Sequence, residues 1–147
     1  LSALYLLLVR WVPMKKDFNG WSTRKEEVHE QSNAPYYHER EIWWCTLGVN
    51  VGHEQDGTGK NYDRPFLIIR GFNAHTCFGV ALTGKEKSDT YHIPIGEVAG
   101  TSASVILSQV RLIDTKRLVR KMGTLDELRF QEVCTALVQV LFPAQEK

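Results

Sequence analysis

No C-x-x-C pair, no H-E-x-x-H and no other metal-ligand spacing occurs among the three cysteines and five histidines of this 147-residue sequence, which disfavours a zinc site. The cysteines, Cys45, Cys77 and Cys134, are odd in number, far apart and set among apolar neighbours. They read as reduced core residues of a cytosolic protein. Net charge is scarce too. At +1 the chain lacks a global basic footprint, so any contact with nucleic acid has to come from a local patch. No apolar run is long enough to span a bilayer. The first thirteen residues, "LSALYLLLVRWVP", fall short of the ~20 that a membrane helix needs, and they lack both a preceding basic residue and a small-residue cleavage site. The expectation is that Met14 is the natural start and residues 1–13 are upstream reading frame or added sequence outside the fold.

What is present suits one globular domain with a core of its own. The chain is 43% hydrophobic and 24% charged, and a domain of this length buries roughly 68–70% of the surface its unfolded form exposes. Residues 14–39 read as a polar helical arm with Phe18, Trp21 and Val28 on one face, closed by the turn-rich "QSNAPYY". That stripe is expected to pack on the body or on a partner.

From residue 40 to 147 the pattern changes to short β-branched and aromatic runs separated by turn clusters. Glu41 to Leu47, Pro65 to Arg70, Thr76 to Leu82, Thr90 to Ile95 and Ser104 to Leu107 are the five expected strands. "RGFNAHT" is a hairpin-length link, so its two strands should run antiparallel. Strands this close, with no helix between them, predict a mainly β, α+β fold: a small curled sheet or barrel. A C-terminal helix follows. "TLDE", Thr124 to Glu127, fits a capping box, Phe130, Val133, Cys134, Leu137 and Leu141 recur at helical spacing, and Pro143 ends the run. Trp43 and Trp44 must point to opposite faces of their strand, one of them into the core.

The stretches "EIWWCTLG", "GHEQ", "RPFLII", "ALTG", "SQVRLID" and the terminal helix, in this order, resemble the PemK/MazF-like growth inhibitors, toxins of bacterial type II toxin–antitoxin systems. The likeness covers about Glu41 to Leu141. It implies an SH3-like β-barrel of the PemK/MazF/CcdB kind with a C-terminal helix, working in the cytoplasm as a homodimer. It also implies an endoribonuclease that cleaves single-stranded RNA with no cofactor or metal, and a cognate antitoxin whose extended acidic tail covers the RNA site.

By position, Arg64 matches the family's catalytic arginine and Thr83 its catalytic threonine or serine. Glu54 and Gln55 match the acid and amide of the G-x-E-Q loop, His53 stands where some members have histidine, and Gln109 matches the amide of the D-Q-V/P-R strand. This sequence departs from the pattern in four places. Ser108 replaces a common aspartate, Ile106 an arginine, Ala81 a proline, and the loop "DGTGKNYD" is longer than usual.

Cleavage of RNA through its own 2′-hydroxyl needs that proton removed, the leaving 5′-oxygen protonated and charge on the phosphate stabilised. Arg64 can offer a forked cation and Thr83 a hydroxyl donor to the phosphate oxygens. His53 has the chemistry for either proton transfer. Glu54 is either a base or, as the favoured reading, the carboxylate that orients Arg64. The basic run Arg111, Lys116, Arg117, Arg120 and Lys121 is either a solvated face or the edge of an RNA groove that also receives an acidic tail. The middle of the long loop reads as an enlarged flexible lid. The rival to a nuclease is a non-catalytic module on the same barrel, blocking a protein target such as DNA gyrase.

Overall fold

In the computed structural model, residues 15–85, 87 and 89–144 are described, so the leader expectation for residues 1–13 lies outside the described residues. Helix α1 spans Phe18–His29. The strands are β1 Glu41–Thr46, β2 Asp63–Gly71, β3 Thr76–Thr83, β4 His92–Val98, β5 Thr101–Asp114 and β6 Leu118–Thr124, and helix α2 spans Glu127–Leu141. All pair antiparallel in the order β4-β5-β3-β2-β1-β6. The "RGFNAHT" link does join antiparallel neighbours, β2 and β3.

The curl follows from chain connectivity. A single 3-10 turn, Thr115–Arg117, links β5 to β6, which lie four places apart in the sheet order. A link that short reaches only if the sheet bends round to bring those strands together. Side chains alternate between two buried faces. Ile42, Leu67, Val80, Leu82, Val105 and Leu107 pack with Val133 and Leu137 of α2 on one face. Trp43, Cys45, Phe66, Ile68, Cys77, Ala81, Ile113 and Leu118 fill the other, inside the curl. Of the tryptophan pair, Trp43 is buried and Trp44 half-buried.

Two sequence expectations need correction. The sheet has a sixth strand, β6, whose "LVRKMGT" buries only Leu118 because it is an edge paired to β1 alone. With one buried position it carries little of the apolar signal that marks a strand. The α2 N-cap is Asp126, whose carboxylate accepts from the Arg129 amide at 2.9 Å, and not the Thr124 of the expected capping box. Thr124 still pairs with Glu41 across the β1–β6 ladder and the Leu125 amide donates to Arg40 O at 2.9 Å, so the chain leaves the sheet only at Asp126, the residue directly before the helix.

Glu41 ties the β6 edge down. Its carboxylate is nearly buried and accepts from Lys121 Nζ at 2.7 Å, the His38 amide at 2.6 Å and Trp43 Nε1 at 3.3 Å. Burial alone would raise its pKa, but Lys121, the His38 amide and the Trp43 indole outweigh it and hold the group below its ordinary value. A depressed folded-state pKa adds stability that is present above the unfolded pKa and lost as pH falls through the folded one. Glu41→Leu, which orphans the buried donors, is expected to cost about 1–3 kcal/mol near neutral pH. The gap from wild type should narrow in acid, and denaturant melts at pH 7 and pH 3 check it.

Candidate functional site

Continuing the β2–β3 register from Phe66↔Ala81 sets Arg64 across from Thr83 at the end of both strands. The Arg64 guanidinium is half-buried and held on three sides. Nε donates to Asp56 O at 2.6 Å and Nη1 to Leu82 O at 3.1 Å. The Gln55 amide, oriented with its oxygen toward the guanidinium so that each donor meets an acceptor, accepts from Nη2 at 2.8 Å and Nε at 3.1 Å. Of the five N–H donors an arginine carries, this leaves, among the described residues, one on each terminal nitrogen, two donors that a phosphate can take. Burial pulls the Arg64 pKa down from its ordinary value, and the charge of Asp56 opposes it. Thr83 Oγ1 accepts from the Lys85 amide at 3.2 Å, which leaves its proton to donate elsewhere.

The loop between β1 and β2 is built from its own polar groups. Asn50 Nδ2 donates to Leu47 O and Gln55 O, and the Asn50 amide donates to Asp56 Oδ1 at 2.7 Å. Gly57 N donates to Gly48 O at 2.8 Å. Inside this frame His53 and Glu54 stand exposed at a tight turn closed by Glu54 N to Val51 O at 3.0 Å. Here the structure corrects the role expected of Glu54. Its carboxylate accepts from the Val51 amide at 3.1 Å, and among the described residues it makes no ion pair with Arg64. A turn this tight folds the carboxylate back on its own backbone, and Gln55 and Asp56 orient the arginine instead.

The "DGTGKNYD" stretch also differs from the flexible lid expected. Thr58 and Asp63 exchange both backbone hydrogen bonds, at 2.8 and 3.1 Å, and Tyr62 of this tip leans on Trp21 of α1 with ring centroids 5.6 Å apart. The extra residues form a small closed ladder, docked on the arm.

Gln109 fastens the loop to β5. Its Oε1 accepts from the Gln55 amide at 2.9 Å and its Nε2 donates to His53 O at 3.3 Å. Ser108 and Gln109 sit in the one irregular stretch of the β3–β5 ladder, where two steps on β3, Val80 to Leu82, face five on β5, Val110 to Val105. Such a bulge re-aims side chains, and here it turns them toward the loop. Glu54, Gln55, Ser108, Gln109 and Arg111 line a cleft of about 460 Å³. Arg64 and Thr83 do not line it, and Arg64 meets its edge through Gln55. Among the described residues the Arg111 guanidinium has no ion-pair partner.

Lys116 and Arg117 sit elsewhere. Lys116 Nζ donates to His29 O at the end of α1 at 2.9 Å. Arg117 Nη1 donates to Thr46 O at 2.9 Å and Leu47 O at 3.3 Å, and its guanidinium lies over the Trp21 ring at 5.7 Å. Both cations thus hold the arm to the sheet. Lys16, Asn50 and Asp56 were not among the candidates drawn from the sequence. Asn50 sits in a turn-type context that hints at its role, whereas nothing in the local pattern singles out Lys16.

Residues 38–141, most of the chain, match the family described as PemK-like, MazF-like toxin of type II toxin–antitoxin system. No curated protein sequence matches the chain. Among solved structures the fold is similar to MazF from Deinococcus radiodurans, with TM-score 0.61 and 19% identity over 75% of this chain and 98% of that one. It is similar too to a mycobacterial endoribonuclease in complex with its cognate antitoxin, with TM-score 0.58 and 16% identity over 76% and 100%. The Mycobacterium tuberculosis toxin MazF-mt6 aligns with TM-score 0.56 and 14% identity over 72% and 100%.

Proposed function

This chain belongs to the PemK-like, MazF-like toxin family of type II toxin–antitoxin systems, and from that membership we propose that it is an endoribonuclease that cleaves single-stranded RNA without a metal. The observation that carries this reading is the Arg64 guanidinium, fixed by Asp56, Leu82 and Gln55 and keeping, among the described residues, one N–H without a partner on each terminal nitrogen, opposite Thr83. Such a donor pair is preorganised for the charge that builds on a phosphate in the transition state.

In the reaction the 2′-oxygen bonds to phosphorus while the bond to the 5′-oxygen breaks. One proton leaves the 2′-hydroxyl and one reaches the 5′-oxygen. Arg64 and Thr83 hold the non-bridging oxygens, and His53, at the exposed loop tip, is the group that moves a proton. Gln55 and Gln109 position the loop, while Ser108 and Arg111 in the cleft guide the strand. The toxin unit is residues 40–147, acting as a homodimer in the cytoplasm. Its inhibitor is a cognate antitoxin whose acidic tail meets Arg111.

The test is purified protein with mixed-sequence RNA in EDTA. Fragments ending in 2′,3′-cyclic phosphate, absent with Arg64→Ala, are the expected result. No cleavage of diverse RNAs by folded protein would overturn the proposal in favour of a barrel that blocks a protein target.

A further inference from the structure

The arm lies outside the matched family region, which begins at residue 38, and the similar solved chains are covered almost end to end while about a quarter of this one is left over. Lys116 and Arg117 hold the arm to the sheet, and its first residues, Lys16 to Trp21, meet the long loop that carries His53, Glu54 and Gln55. Lys16 Nζ donates to Asn50 O at 2.7 Å, to Gly52 O at 2.7 Å and to Asp56 Oδ2 at 2.9 Å. An ammonium has three donors, and all three are spent on this loop. The Lys16 side chain is only 9% exposed, so these bonds compete little with water.

The next residues of the arm grip the other half of the loop. Asp17 Oδ2 accepts from the Tyr62 hydroxyl at 2.7 Å, and Trp21 is buried between Tyr62, Arg117 and Gly48. Gly48 has φ +81, and a Cβ there would overlap the Trp21 indole, so the loop is cut to fit the arm. Tyr62 has φ +58, a conformation that a bulky residue keeps only where its surroundings over-determine it. The arm supplies those surroundings.

We infer that the arm is a built-in strap for the loop and that Lys16 is a positioning residue for Arg64, acting through Asp56. Asp56 faces both ways: its carboxylate takes Lys16 and the Asn50 amide, while its carbonyl takes Arg64 Nε at 2.6 Å. One residue therefore separates the arm's cation from the guanidinium. An enlarged loop has more conformations to lose, and a clamp from outside it restricts them to one.

The catalytic part of this inference rests on the nuclease reading. Lys16→Met should lower kcat on RNA by about 10–10²-fold, the scale of a displaced catalytic group, with KM changed by less than about threefold. If Lys16 works through Asp56, Lys16→Met in an Asp56→Asn background should cost little more than the larger single change. Amide exchange across residues 50–57 should quicken in Lys16→Met while β2 and β3 stay protected. Wild-type kcat in Lys16→Met, or multiplicative losses in the double variant, would overturn the positioning role. If the wild type cleaves no RNA, the nuclease reading fails alone, and the exchange measurement still decides the strap: unchanged exchange at 50–57 sinks it. Lys16→Gln, which removes the charge and shortens the stem but keeps two N–H donors, carries the same measurements if Lys16→Met does not fold.

Discussion

Arg64→Ala is expected to lower the single-turnover rate of RNA cleavage by about 10²–10³-fold, the loss seen when a preorganised transition-state donor is removed. The expectation follows from how the guanidinium is spent. Asp56 O, Leu82 O and the Gln55 amide take one side, and the remaining N–H on each terminal nitrogen is left for a phosphate. Arg64→Lys is the sharper comparison. Lysine keeps a charge but has no planar fork, and it cannot satisfy Asp56, Leu82 and Gln55 while reaching a phosphate. It should recover only a small part of the loss. A lysine variant as active as wild type would mean that charge alone matters and that the three-sided anchoring is incidental. RNA binding in both variants should weaken far less than the rate falls, since the two N–H groups gain most when charge accumulates in the transition state.

How much of this was open to a reader of the sequence depended on whether the signal was local. The short unbroken apolar runs in "EIWWCTLG" and "RPFLII" mark strands because both faces are buried, as Ile42 with Trp43 and Leu67 with Phe66 and Ile68 confirm. The register that sets Arg64 across from Thr83 follows once β2 pairs with β3, the strand that ends in "ALTG". β6 escaped because an edge strand with one buried residue carries no comparable pattern, and its Arg120 and Lys121 read as part of a charged surface. Thr124 looked like a helix cap because capping residues are read from type and spacing. Asp126 meets the same chemical requirement two residues later, and only the β1–β6 pairing decides between them.

The site divides in the same way. Arg64, Thr83, Gln55 and Gln109 are within reach of a motif. The partners that orient them are not, because contacts such as Lys16 to Asp56 join residues forty positions apart with no periodicity linking them. Glu54 shows the opposite hazard. An acid near an arginine in the chain suggested an ion pair, but a tight turn satisfies that carboxylate from its own Val51 amide.

That use of Glu54 sharpens the second large expectation, a loss of about 10²–10⁴-fold in cleavage for His53→Ala, the range for a general acid or base. Two protons have to move, and the site offers few groups to move them. Arg64 is lowered by burial but countered by Asp56, and a guanidinium does not give up its proton in a protein. Glu54 already accepts from Val51, so its carboxylate is tied into the turn. His53 stands exposed at the same turn, and its carbonyl is held by Gln109 Nε2 at 3.3 Å, so the backbone is anchored while the imidazole is open to substrate. Which proton it handles can be read by changing the leaving group. An RNA whose 5′-oxygen is replaced by sulfur departs without protonation. If His53 is the general acid, the alanine variant should cleave that substrate at close to the wild-type rate while remaining slow on ordinary RNA. If the loss is the same on both substrates, His53 acts on the 2′-hydroxyl. If His53→Ala cleaves ordinary RNA as fast as wild type, histidine takes no part and the proton transfers fall to Glu54 or to solvent.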